Sequence, residues 1–151
     1  MINFRLVILS DTHISATHPL FFHNFEVALE AANALAPDVA IVTGDLSLNG
    51  PDAPGDLDVA AAQMRRFSAQ VTKLVPGNHD IGYSPAALSA EQRMTLERRQ
   101  NYLERVGPDF WQFDYGDWRF IGLNPFLFES GFDAVQLQRQ IHFQIGRGSL
   151  D

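Results

Sequence analysis

The chain has 151 residues, of which 46% are hydrophobic and 19% charged, and its formal net charge is -7. That composition suits one domain with its own core over residues 1–151 and excludes disorder, while the negative charge argues against polymeric nucleic acid as a partner. The absence of cysteine excludes disulfides and thiolate metal sites, so any metal has to sit on Asp, Glu, Asn or His.

Strand and helix signals alternate along the chain. Residues 4–10 (FRLVILS) are an apolar, branched run of the length expected for a buried strand. Residues 22–35 place Phe22, Phe25, Leu29, Ala32 and Leu35 at helical spacing, and Ala36-Pro37 ends that helix. A second buried strand follows at 38–43 (DVAIVT). The turn-rich stretch 49–55 (NGPDAPG) then leads into a helix over 56–69, expected to be capped by Asp56. A third strand at 71–75 stops at Pro76-Gly77. One or two polar helices span 84–106, with starts expected at Ser84-Pro85 and at Ser89 with Gln92. Residues 110–115 and 118–123 alternate aromatic and polar side chains across Gly116-Asp117, which predicts a hairpin. A last helix is expected over 133–145. No signal-peptide pattern or membrane-length apolar run is seen, so a cytoplasmic protein is the default expectation.

This order of elements predicts an α/β fold, a parallel sheet with flanking helices. In such sheets the functional loops lie beyond the carboxyl ends of the strands, so the residues after the first three strands should converge. Those residues are Ser10-Asp11-Thr12-His13, then Gly44-Asp45-Leu46-Ser47-Leu48-Asn49, then Gly77-Asn78-His79-Asp80. Each loop offers oxygen or imidazole donors suited to a hard or borderline cation. Asp11 and His13, two apart on chain leaving a strand, can face one side, and Asp45 can bridge two ions through its two oxygens. Asn78 adds a neutral oxygen. Two cations roughly 3.5–4 Å apart would clamp the attacking and leaving oxygens of a phosphoryl group. His79 can protonate the leaving oxygen, and Asp80 is expected to hold the His79 imidazole in one tautomer.

Asp11-x-His13, Gly44-Asp45 and Gly77-Asn78-His79-Asp80, about thirty residues apart, resemble the motifs of the calcineurin-like metallophosphoesterases. The wording around them (SDTHI, TGDLSLNG, VPGNHD) and the later FDYGDWRFIGLN are similar to the cyclic-nucleotide phosphodiesterase branch. The resemblance implies the N-terminal half of an αββα sandwich. It implies Asp11, His13 and Asp45 on one metal, Asp45 and Asn78 on the other, and His79 near the leaving group. The metals would be manganese, iron or zinc, and the substrate a small phosphoester, most simply a phosphodiester. The family completes both metal spheres with a later histidine and a Gly-His-x-His segment, and neither stands in this sequence. His142 falls in the expected last helix. The sequence is therefore expected to be a truncated domain, weak in metal and inactive alone, with self-association through an exposed sheet edge. The competing expectation is a non-catalytic scaffold with the same fold.

Taken singly, Asp11-x-His13 and Gly44-Asp45 read as ordinary turns. Gly77-Asn78-His79-Asp80 is the stronger signal, because three polar side chains in a row after a buried strand need a reason. Turn chemistry does not require all three motifs in this order. His18 and His23 read as surface residues at a helix start. Asp52, Asp56 and Asp58 read as solvated charges, and Arg65-Arg66 and Arg98-Arg99 as solvated helix faces. Trp111, Phe113, Trp118 and Phe120 read as core and hairpin pairs.

Overall fold

Strand β2 (Val39–Val42) is buried along its whole length, and the rest of the fold is arranged around it. The computed structural model describes residues 3–84 and 89–128; the expected last helix and His142 lie outside these, as does Pro85 of the expected Ser84-Pro85 start. Strands β1 (Leu6–Leu9) and β3 (Val71–Leu74) flank β2, both parallel to it, with Leu6, Val39 and Val71 in register at one end and Leu9, Val42 and Leu74 at the other.

The two faces of the sheet are covered differently. Ala40 and Val42, with Val7, Leu9 and Leu74 beside them, meet the helices α1 (Phe22–Ala34) and α2 (Pro54–Met64). Those helices bury Phe25, Leu29 and Ala32 from α1 and Leu57, Ala60 and Met64 from α2. Each fully buried Leu, Met or Phe of this layer contributes about 1.5–3 kcal/mol of transfer free energy. Val39, Ile41 and Val71 point the other way, onto Trp111, Phe113 and Phe120 of the hairpin β4 (Trp111–Tyr115) and β5 (Trp118–Gly122). The hairpin is antiparallel, pairs Tyr115 with Trp118, and turns through Gly116-Asp117 as its two-residue spacing predicts, with Gly116 at φ 58°. Phe113 and Phe120 are directly paired and stacked, centroids 4.9 Å apart, while Trp118 is 62% exposed.

Several expectations need correction. The run 4–10 is not a buried strand: β1 ends the strand order, and Leu6 and Ile8 are 38% and 58% exposed. An apolar run cannot tell a central strand from an edge strand. Helix α2 starts two residues before Asp56, with Pro54 in its first turn and Ala53 at the cap. Asp56 is buried, accepting from Ser15 Oγ at 3.0 Å and from the Ala16 amide at 2.8 Å. In the polar stretch, residues 90–92 make one 3-10 turn, and the helix proper is α4 (Leu96–Arg105), capped by Thr95, whose side chain accepts from the Arg98 amide at 3.1 Å. Asp52 and Asp58 pair with Arg98 and Arg105. Arg99 is buried against Asp109 and is no solvated residue.

Candidate metal centre

Beyond their last paired residues, β1 and β2 stay side by side. The amides of Asp11, His13 and Ile14 donate to the carbonyls of Gly44, Asp45 and Leu46 at 3.1, 3.0 and 2.9 Å, and the Leu48 amide returns a bond to Ile14 at 2.9 Å. This continued pairing carries His13 to Asp45. Asp11, His13 and Asp45 have φ of 58°, 46° and 51°, three of the four non-glycine residues with positive φ among those described. Side-chain-bearing residues avoid that region, at a cost of order 1–3 kcal/mol each, and such strain gathers at functional sites.

The third loop is brought in by close backbone approach. A Cβ on Gly77 would lie 2.1 Å from Asp45 Oδ1, and one on Gly44 would lie 2.9 Å from Gly77 Cα, so the two glycines let these loops touch. Helix α3 (Asn78–Ile81) starts there, and the His79 amide donates to Asp45 Oδ1 at 2.9 Å. His13, Asp45 and His79, one from each strand-end loop, can bring one ligand atom each within 4.8 Å of one another. The imidazoles of His13 and His79 meet edge to face, centroids 4.6 Å apart, and the Phe21 ring centroid is 5.7 Å from that of His13.

These donors suit a metal. Imidazole and carboxylate together favour zinc, iron or manganese. His13 Nδ1 is buried with no hydrogen-bond partner, a state that costs free energy unless another group takes the lone pair or the hydrogen. His79 is oriented from outside the cluster: its Nδ1 faces the Leu48 carbonyl at 2.7 Å. A carbonyl only accepts, so Nδ1 carries the hydrogen and Nε2 is the free ring nitrogen.

The remaining candidates are placed less centrally. Asp11 lies outside the three-residue cluster and is largely exposed; its carboxylate is 3.8 Å from His13 Nε2 and accepts from Ser10 Oγ at 2.5 Å. Asn78 opens α3 and lines a recess together with His79. Asp80 does not orient His79. Its carboxylate is fully buried and accepts from the amides of Leu46 at 3.1 Å, Ser47 at 2.8 Å and Gly77 at 2.9 Å, and from Ser47 Oγ at 2.8 Å. Burial pushes its carboxyl above the ordinary carboxylate range, and the donors from Gly77, Ser47 and Leu46 pull it back. Asp80 thus ties the second loop to the third. Ser47 also donates to the His79 carbonyl at 3.1 Å, and Asp56 anchors the chain just after His13. Neither supporting role was read from the sequence. The signal was there for Ser47, a small hydroxyl inside a loop of ligands, and absent for Asp56, whose partners are forty residues away.

The calcineurin-like phosphoesterase family profile matches residues 4–144. No curated protein sequence matches the chain. Among solved structures, a purple acid phosphatase, PPD1, isolated from yellow lupin (Lupinus luteus) seeds, superposes with a TM-score of 0.56 at 16% identity. The match covers 98% of this chain and 28% of that one, so the chain spans less than a third of that structure's length.

Proposed function

The chain belongs to the calcineurin-like phosphoesterase family, and on that footing we propose that it hydrolyses phosphoesters at a metal centre built on His13 and Asp45, with Asp11 and Asn78 at its margins and His79 beside it as the proton donor. One observation carries this reading: three strand-end loops, far apart in sequence, deliver two imidazoles and a carboxylate to one spot. Turn formation does not need that convergence.

The metals, two ions of manganese, iron or zinc in this proposal, would acidify a water and neutralise phosphoryl charge. The chain's own residues do the rest. Asp45 is fixed by the His79 amide on one carboxylate oxygen. With Nδ1–H held by Leu48, His79 presents Nε2, and in its protonated form that nitrogen can hand a proton to the departing oxygen. Phosphodiesters, cyclic nucleotides among them, are the finer substrate reading. It rests on the resemblance of the strand-end motifs and of the hairpin sequence 113–124 to that branch.

The test is metal content per chain together with manganese-supported hydrolysis of a chromogenic phosphodiester and its monoester counterpart. Asp45→Asn should lose both metal and turnover. Wild-type chain that holds no metal would favour the scaffold reading. Turnover that survives Asp45→Asn would remove the cluster from the mechanism.

A further inference from the structure

Next to the metal cluster lies a recess of about 220 Å³ that shares Asn78 and His79 with it. We propose that this recess receives the alcohol portion of a phosphoester held at the cluster, and that it accepts an uncharged or cationic alcohol while rejecting an anionic one. This rests on the phosphoesterase reading, since only a phosphoryl group at the cluster would direct an ester oxygen into the neighbouring space.

The walls carry the selectivity. Asn49 and Gln92 offer amides and Tyr83 a half-exposed ring, which suits a polar or flat organic group. Among the described lining residues, Arg98 is the only one with a fixed positive charge. Its guanidinium is already engaged: it donates to Asp52 Oδ1 and to the carbonyls of Glu91 and Arg93, each at 2.8 Å. Those three bonds pin the loop carrying Asp52 to the segment carrying Glu91, so the two walls are held apart before any ligand arrives. They also spend the cation on the wall itself. With Asp52 paired to Arg98, the Glu91 carboxylate is the remaining fixed charge among the described lining residues, and its field favours a cation and opposes an anion.

The experiment is calorimetric titration of the full chain, loaded with Mn²⁺, with inorganic phosphate, phosphocholine and phosphoglycolate. The two esters match in length and differ in the charge at their far end. Phosphocholine should bind about tenfold tighter than phosphoglycolate, a ratio of the size expected for one charge acting in a solvent-accessible cleft. Glu91→Lys, which touches nothing in the metal cluster, should collapse or invert that ratio. Esters that bind equally, a preference for phosphoglycolate, or a ratio unmoved by Glu91→Lys would overturn the recess assignment while phosphate binding left the centre standing. Failure of phosphate and both esters alike to bind would bring down the phosphoesterase reading and this inference together.

Discussion

At the scale of single residues, the centre depends on atoms that no ligand motif would name. Gly77 has no room for a side chain, because its Cβ would fall on Asp45 Oδ1 and 2.4 Å from the Asp45 amide. Gly77→Ala should therefore push the second loop from the third, costing about 1–3 kcal/mol in urea unfolding and removing the thermal stabilisation given by added Mn²⁺. An alanine variant with wild-type metal response would mean that the loops need not touch. Asp80 makes a second case. All its partners are donors, two on each oxygen. Asparagine would turn an N–H toward one pair of them, leaving buried donors opposed, so Asp80→Asn should cost about 1–3 kcal/mol and lower the melting temperature. If it melts with the wild type, the carboxylate is not what joins the loops.

At the scale of elements, α4 is fastened to the hairpin by charge as well as by packing. Arg99 Nε and Nη2 donate to the two oxygens of Asp109 at 2.6 and 3.1 Å, and Asn124 Nδ2 donates to the same carboxylate at 2.8 Å. The pair joins the helix to the segments entering β4 and leaving β5, and both partners are almost fully buried. Removing one buried ion leaves the other uncompensated, so Asp109→Ala should cost about 3–5 kcal/mol by equilibrium unfolding, against near-neutral loss at the exposed Asp52 end of the Arg98 pair. A cost near zero would show that Arg99 finds water instead. The contrast between Arg98 and Arg99 marks where reading the sequence stops. Adjacent arginines on a polar helix look alike, and only their partners separate Arg98, which braces the wall of a recess, from Arg99, which is buried against Asp109 ten residues on. The three parallel strands, α1, the hairpin turn and the meeting of the three loops were legible, because apolar runs, 3.6-residue spacing and a two-residue turn are local signals. The half-exposed state of β1, the cap of α2 and the work of Asp56 and Asp80 were not, because each is decided by groups distant in the chain.

At the scale of the whole molecule, the sheet is asymmetrically covered. The hairpin lies over Val39, Ile41 and Val71, but Leu6 and Ile8, which stand in register with Val39 and Ile41 on that same face, remain exposed. Among the described residues β1 pairs on one side only, so an apolar strip runs beside an open strand edge. Such an edge can be completed by another chain, and the net charge of -7 spread over the molecule opposes this only over about the Debye length of ~8–10 Å. Low salt should therefore favour the monomer and rising salt should drive association through β1. Ile8→Lys puts a charge on the exposed position without touching the helix-side core, and a lysine on an edge strand resists pairing. Sedimentation velocity should show the wild type shifting to larger species with salt and protein concentration while Ile8→Lys stays monomeric with an unchanged melting temperature. If both associate alike, the contact lies elsewhere; if neither does, the strip on β1 is tolerated in water, as isolated exposed apolar residues commonly are.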